Sequence, residues 1–229
     1  MSTRAVVHEL PGLRGCVRAF RDRERAGATL ARMLRGHVAA DAVVLAIPAG
    51  GVPVAVPIAR DLSLPLQVAP VSKVLLPWTT EAGCGAVAFD GSVLVDEDAV
   101  AQCGVGAGAL QRSIGVARDK VATRVRQLAA GVLPDVAGRE AIVVDDGIAA
   151  GFTMRAAIRA VRRCGASRVV IAVPTAHARA LDALATVADA IHCASVREGR
   201  PFAVADAYAT WADVSDADAA AILAAARQG

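Results

Sequence analysis

A short segment near residue 145 combines two carboxylates with a loop of small residues. Asp145 and Asp146 directly follow the apolar run 141–144, and Gly147, Gly151 and Thr153 lie in the loop that leads into a helical pattern. The backbone N–H groups of such a loop and the N-terminus of the next helix together bind phosphate. Two carboxylates would repel that phosphate, so we expect them to accept hydrogen bonds from sugar hydroxyls or to contact a metal ion. The segment predicts a site for a ribose 5-phosphate.

Other interpretations of these residues exist. Alone, the acidic pair is also typical of a turn and a helix cap, but the preceding strand, the glycines and Thr153 favour a functional site. Gly50 and Gly51 follow the apolar run 42–47, which indicates either a sharp turn or a second ligand loop. Lys73 ends another apolar run and is either a solvated strand end or a cation for the same ligand.

The periodicity predicts an α/β fold that would bring these loops together. Apolar runs without alternation are typical of strands buried on both faces of a parallel sheet. Strands are predicted at 42–47, 66–71, 141–144, 168–173 and 190–194, a hairpin at 86–89 and 92–95, and loops at 48–51, 75–85 and 145–151. Helices are predicted at 22–35, 52–62 (starting later if Pro57 disturbs it), 110–129, 153–164, 178–184 and 215–227. We therefore expect an open parallel sheet of about five strands flanked by helices, with ligands beyond the carboxyl ends of the strands.

The segment 141–154 resembles the phosphoribosyl pyrophosphate (PRPP) motif of type I phosphoribosyltransferases. Residues 45–55 are similar to the pyrophosphate loop of a bacterial branch of that family. Lys73 followed by Pro77, Glu81, Gly85 and Ala86 is similar to the second loop of that branch. Residues 133–139, which lead into the motif, also resemble that branch. The resemblance extends from about residue 20 to residue 223 and is most specific at the motif.

The resemblance implies the family's fold, with a small hood and a flexible loop, and the Mg²⁺-dependent transfer of ribose 5-phosphate from PRPP to a nitrogenous base. It implies that Asp145 and Asp146 hold the ribose hydroxyls, that Lys73 neutralises pyrophosphate, and that Glu81 lies in the mobile loop. Mg²⁺ would be held mainly by PRPP and pyrophosphate. The residues implied for the 5-phosphate are Gly147, Ile148, Ala149, Ala150, Gly151, Phe152 and Thr153; those implied for pyrophosphate are Ala49, Gly50, Gly51 and Lys73.

Two departures from the branch's pattern are expected to lower the rate of turnover. Ala49 stands where the branch usually has Arg, and Ala150 where it usually has Thr. A hydrogen bond to a charged group contributes roughly 1.5–3 kcal/mol, so both losses would slow the reaction unless other residues compensate. Arg112, Arg118 and Lys120 are candidates for the missing cation. The alternative function is a PRPP- or nucleotide-binding regulatory protein with weakened catalysis. A generic sugar-phosphate enzyme ranks last, because it does not account for the acidic pair.

Three of the seven aromatic residues lie in the tail of the chain: Phe202, Tyr208 and Trp211. Aromatic rings stack on nucleobases with little dependence on sequence. We therefore expect Phe202 or Tyr208 to line the base pocket. The alternative is that these rings fix the tail to the core.

Composition limits the remaining function classes. The net charge is only +3, so nucleic acid is not expected as a partner, and the arginines between Arg14 and Arg35 are interpreted as a solvated helix face. No apolar run approaches the ~18–20 residues of a membrane span, no signal peptide is visible, and the five cysteines form no C-x-x-C pair. We expect a cytoplasmic protein, with a homodimer as one option. We also expect a single domain over residues 1–229: an N-terminal helical segment 1–37, a PRPP-binding core 38–195, and a C-terminal segment 196–229 that contributes to the base pocket.

Overall fold

The computed structural model describes residues 4–79, 82–199 and 201–227. The strands are β1 (Val6–His8), β2 (Val43–Ala46), β3 (Leu66–Val68), β4 (Val71–Leu75), β5 (Gly83–Ala88), β6 (Val93–Val95), β7 (Glu140–Val144), β8 (Arg168–His177) and β9 (Ala190–Arg197). The α-helices are α1 (Arg23–Leu34), α2 (Gly51–Leu62), α3 (Glu97–Gln102), α4 (Ala107–Leu128), α5 (Phe152–Arg163), α6 (Ala178–Leu184) and α7 (Asp216–Ala226). Within these ranges the helices are all too short or too polar to cross a bilayer.

The centre of the molecule is a six-stranded sheet in the order β1-β9-β8-β7-β2-β3. Every neighbouring pair is parallel. The residues of β2 and β7 are buried on both faces because α1, α2 and α7 pack on one side of the sheet while α5 and α6 pack on the other. The continuous apolar runs of the sequence are therefore explained by burial on both faces, and the expected α/β class is confirmed.

A second, three-stranded antiparallel sheet, β4-β5-β6, lies beside this core. Val74, Cys84 and Val87 pack there against the apolar side of α4, which includes Ile114 and Val121. The predicted hairpin is present, since β5 and β6 pair in antiparallel register around the turn at Asp90. This smaller layer places β4 and α4 above the carboxyl edge of the main sheet.

Several predicted boundaries are wrong for identifiable reasons. The single strand expected at 66–71 is two strands in two different sheets, because Pro70 has no N–H to donate to a ladder. The loop expected at 75–85 ends at Gly83, where β5 begins. Gly85 has no side chain, so it does not contribute to the alternation by which a strand is predicted. A side chain does not fit there, because a Cβ would lie 2.2 Å from the carbonyl oxygen of Leu94. The sheet has six strands rather than five because β1 adds an edge strand too short to show periodicity.

Helix α2 tolerates a proline that the sequence analysis expected to delay its start. The helix begins at Gly51 and continues through Pro57 to Leu62. Pro57 is buried where α2 packs on α1, and a Cβ on Gly27 would lie 3.1 Å from its Cγ and 2.3 Å from the carbonyl oxygen of Val54. Close contact between the two helices at this glycine therefore offsets the local cost of the proline.

Three histidines cluster beneath α1. The rings of His8 and His192 are stacked with centroids 4.6 Å apart, and His37 lies 5.4 and 5.5 Å from them. His192 is 2% exposed, and its Nδ1 has no hydrogen-bond partner among the described residues. Burial, followed by the charges of His8, His37 and Arg168, lowers the pKa of His192 to about 4. The fold therefore requires the neutral imidazole.

This requirement predicts a specific pH dependence of stability. The folded protein excludes a proton from His192 that the unfolded chain binds below about pH 6.5, so the free energy of unfolding decreases as the pH falls from 6.5 toward 4. The full effect is at most about 3 kcal/mol. Urea unfolding at pH 7.0, 5.5 and 4.5 should show a smaller decrease for His192→Gln than for the parent. Equal decreases in the two proteins would contradict this assignment.

Candidate functional site

Two ligand loops meet because their strands are neighbours. β2 and β7 pair in register from Val43–Ala141 to Ala46–Val144, and the amide of Ile47 extends the ladder to the carbonyl oxygen of Val144 at 2.8 Å. The loop after β2 therefore lies directly beside the acidic residues after β7. The peptide bond between Pro48 and Ala49 is cis.

Glycines permit this contact between the loops. A Cβ on Gly50 would lie 2.1 Å from Oδ2 of Asp146, and one on Gly51 would lie 2.7 Å from the carbonyl oxygen of Val144. Neither position leaves space for a side chain. The amide of Gly51 donates to the carbonyl oxygen of Ile47 at 3.0 Å, so it is engaged in holding the loop.

The acidic pair is held in two different environments. Nε and Nη2 of Arg23 both lie 2.9 Å from Oδ2 of Asp146. The side chain of Arg23 is only 10% exposed and that of Asp146 only 16%. Oδ1 of Asp145 accepts the amide of Asp146 at 2.9 Å. Burial and the charge of Asp146 raise the pKa of Asp145 well above its usual value. Burial also raises the pKa of Asp146, but Arg23 opposes that shift.

Arg23 also joins the tail of the chain to the acidic pair. Its guanidinium stacks on Trp211, with Cζ 3.8 Å from the ring centroid, and donates to the carbonyl oxygen of Ala212 at 2.8 Å. The hydroxyl of Tyr208 donates to the carbonyl oxygen of Asp146 at 2.6 Å. The interpretation of the N-terminal arginines as a solvated face is therefore wrong for Arg23. The sequence around Arg23 does not predict its contact with Asp146, because the two residues are 123 positions apart.

The loop 147–153 has the backbone geometry of an anion site. Ile148 fixes it to the end of β8, because its amide donates to Thr175 and its carbonyl oxygen accepts from His177. Gly151 has φ 82° at the start of α5, a conformation that favours glycine. The amides of Ala149, Ala150 and Gly151 make no hydrogen bond within the described part of the chain. These donors and the N-terminus of α5 are available to a phosphate.

A cavity of about 1190 Å³ connects these parts. It is lined by Asp145 and Asp146, the whole loop 147–153, Pro48 and Lys73. Ala49, Gly50 and Gly51 lie next to Pro48 but are not among its lining residues. Of the cations proposed to replace the missing arginine, the cavity is lined by Arg112 and Lys120 but not by Arg118.

Neither aromatic residue predicted for the base pocket is among the lining residues of the main cavity. Tyr208 is 3% exposed, and burial raises the pKa of its phenol well above its usual value. Phe202 lines a neighbouring cavity of about 470 Å³ with His177 and Arg179, and Ala149 and Ala150 line both cavities. Trp211 is the tail aromatic on the main cavity. Glu81, expected in the mobile loop, lies outside the described residues.

The donor set fits a metal ion held mainly by its ligand. Among the described residues, no group of three His, Cys, Asp or Glu side chains is arranged to hold a metal. The carboxylates of Asp145 and Asp146 offer hard oxygen atoms of the kind that Mg²⁺ prefers, beside a loop built for phosphate. This combination suits Mg²⁺ that arrives with substrate phosphates.

The ion pair between Arg23 and Asp146 predicts a pH-dependent loss of stability in Arg23→Met. Without the guanidinium, the buried carboxylate loses its paired cation and its pKa rises further, so the variant is least stable at high pH, where the carboxylate is charged. We expect the free energy of unfolding to fall by about 3 kcal/mol at pH 8 and by less at pH 5.

The control for this experiment is Arg21→Met, because the Arg21 side chain is 76% exposed and, among the residues that the structure describes, its ion pair is with the neighbouring Asp22. Urea unfolding should show little change in the control at either pH. A loss in Arg23→Met that is the same at both pH values would contradict the electrostatic role of Arg23.

Comparisons with known proteins agree with this geometry. The sequence model described as "Phosphoribosyl transferase domain" matches residues 18–204. A protein of Mycobacterium tuberculosis (strain H37Rv), provisionally named a phosphoribosyl transferase, is 35% identical over 210 residues, which are 90% of this chain and 47% of that protein. The chain thus spans about half the length of the curated relatives it matches.

Solved structures match the fold as well. A crystal structure of a Thermus thermophilus protein is 37% identical, covers 89% of this chain and 97% of its own, and superposes with a TM-score of 0.69. An Aquifex aeolicus protein shares the fold at 11% identity, with 77% and 75% coverage and a TM-score of 0.51. The match over most of the chain, together with the acidic pair and the loop 147–153 at the end of β7, confirms the predicted resemblance: the chain belongs to the type I phosphoribosyltransferase family.

Proposed function

We propose that this chain transfers ribose 5-phosphate from PRPP to a nitrogenous base and releases pyrophosphate. The observation that carries this proposal is the juxtaposition of Asp145 and Asp146 with the free amides of the loop 147–153 in one cavity. The loop binds the 5-phosphate, and the carboxylates accept hydrogen bonds from the ribose hydroxyls. Lys73 lines the same cavity and adds positive charge for the pyrophosphate.

The reaction moves one bond at the anomeric carbon. The bond from C1 to the pyrophosphate oxygen breaks, and its electron pair leaves on pyrophosphate. The lone pair of the base nitrogen forms the new bond to C1, and the proton of that nitrogen passes to water. Positive charge develops on the ribose ring and negative charge on the leaving group. The protein therefore contributes mainly by orienting the ribose and stabilising pyrophosphate.

The acidic pair is suited to hold the ribose rather than to transfer a proton. Arg23 occupies Oδ2 of Asp146, and Oδ1 of Asp145 accepts a backbone amide. These contacts fix the orientation of both carboxylates before the sugar binds. Mg²⁺ would bind with the phosphates of PRPP and beside these carboxylates, and it would neutralise the charge of the leaving group.

The position of Trp211 favours an acceptor base with a flat, aromatic ring. Its ring lines the cavity and is 37% exposed, while its other contacts are the Arg23 guanidinium and the ring of Tyr208, 5.3 Å away. A ring held in this way offers a preorganised surface for stacking. We propose that the base packs on Trp211, in place of the Phe202 or Tyr208 expected from the sequence.

Calorimetry with PRPP and Mg²⁺ tests the sugar site. We expect the parent to bind, and the double substitution Asp145→Asn/Asp146→Asn to weaken binding by at least tenfold, because each lost charge-assisted hydrogen bond contributes roughly 1.5–3 kcal/mol. Asp119→Asn is the control, since Asp119 is exposed on α4 and does not line the cavity. Unchanged binding by the double variant would exclude the acidic pair from the site.

The same protein should be assayed for exchange of labelled pyrophosphate into PRPP in the presence of each nucleobase. Exchange supports the transferase. PRPP binding without exchange supports the regulatory alternative, which Ala49 and Ala150 favour because both replace polar side chains of the family pattern.

Trp211→Ala tests the acceptor surface. We expect affinity for the accepted base to fall about tenfold or more, as base stacking contributes roughly 1–3 kcal/mol, whereas Phe202→Ala leaves it unchanged. Trp211→Phe keeps a ring and should restore most of the affinity. If Phe202→Ala weakens base binding and Trp211→Ala does not, the base lies in the smaller cavity.

A further inference from the structure

Helix α4 presents one row of side chains to the cavity. Arg112, Val116, Lys120 and Arg124 are spaced four residues apart, and all four line the cavity. Residues at this spacing stay within an arc of about 120° of the helix surface. Three of the four are cations. We call Arg112, Lys120 and Arg124 the cationic face of α4.

Arg124 fixes the orientation of this face. Its side chain is largely buried, donates from Nη1 to the carbonyl oxygen of Val71 at 2.8 Å, and pairs with Asp216 of α7 at 2.9 Å. These contacts hold α4 against β4 and α7 at once. Arg124 is thus neutralised and structural, and the helix cannot rotate Arg112 or Lys120 away from the cavity without breaking it.

Arg112 and Lys120 have no such partners. Within the described ranges, neither forms a salt bridge or a hydrogen bond, and both are exposed. Lys73 of β4 lines the same cavity, and its side-chain ammonium also forms no hydrogen bond or ion pair in the described part of the chain. Unpaired cations that line one cavity raise its positive potential, and an anion of high charge is the ligand that such a surface favours.

We propose that Arg112 and Lys120 bind the pyrophosphate group, with Lys73, and supply the positive charge that Ala49 does not. This inference rests on the proposed transferase function. Arg112 can donate two hydrogen bonds from its guanidinium, and Lys120 contributes a compact charge. Both act on the oxygen atoms that receive the electron pair when the bond from C1 breaks. The loop 147–153 binds the 5-phosphate, so the two anionic ends of PRPP have separate sites.

Calorimetry with inorganic pyrophosphate and Mg²⁺ tests the assignment. We expect Arg112→Gln and Lys120→Gln each to weaken pyrophosphate affinity about tenfold, and the double variant about a hundredfold. Arg118→Gln is the matched control, because Arg118 is exposed on the same helix but does not line the cavity. Affinity for ribose 5-phosphate should stay within about twofold in all four variants. Arg112→Lys should keep more pyrophosphate affinity than Arg112→Gln.

Three results would overturn this inference. The first is a pyrophosphate affinity that is unchanged in the double variant, or a parent that does not bind pyrophosphate. The second is an equal loss of pyrophosphate affinity in Arg118→Gln. The third is a loss of affinity for ribose 5-phosphate alone. The proposed function fails separately, if the parent does not bind PRPP or if Asp145→Asn/Asp146→Asn binds it unchanged. Equal melting temperatures of parent and variants are required before affinities are compared.

Discussion

The buried ion pair between Arg23 and Asp146 is the interaction on which the site depends. Burial raises the pKa of both adjacent carboxylates at this strand end, and the charge of Asp146 adds to the shift of Asp145. Arg23 opposes this for Asp146 through two contacts of 2.9 Å. The same guanidinium binds the tail through Trp211 and Ala212. A single cation from α1 therefore connects the first helix, the central motif and the tail.

Positive charge reaches the cavity from the second layer of the fold. The main sheet contributes the acidic pair and the amides of the phosphate loop, whereas β4 contributes Lys73 and α4 contributes Arg112 and Lys120. Arg124 couples these layers, since it joins α4 to β4 and α7. The main sheet thus contributes oriented hydrogen-bonding groups, and the smaller layer contributes positively charged side chains.

The sequence predicted the local parts of this arrangement better than the distant ones. The acidic pair, the loop 147–153 and the buried strands are contiguous segments, so composition and periodicity identified them. Lys73 was expected at the end of a strand over 66–71, but it lies in the middle of β4. Arg23 and Trp211 were missed as a pair because their contacts join residues far apart in sequence. The early start of β5 was missed because Gly83 and Gly85 interrupt the periodicity by which strands are recognised. The break at Pro70 was missed because the apolar run continues on both sides of that proline.

The contact between Arg23 and Ala212 spans 189 residues of chain. During synthesis, the acidic motif emerges from the ribosome well before the tail that completes its surroundings. Until Trp211 and Ala212 have been translated, Arg23 has Asp146 but neither the ring nor the carbonyl oxygen that hold its guanidinium in place. On the proposed function, a nascent chain shorter than this has the loop for the 5-phosphate without a completed sugar site, so ligand binding would begin only after this segment has left the ribosome.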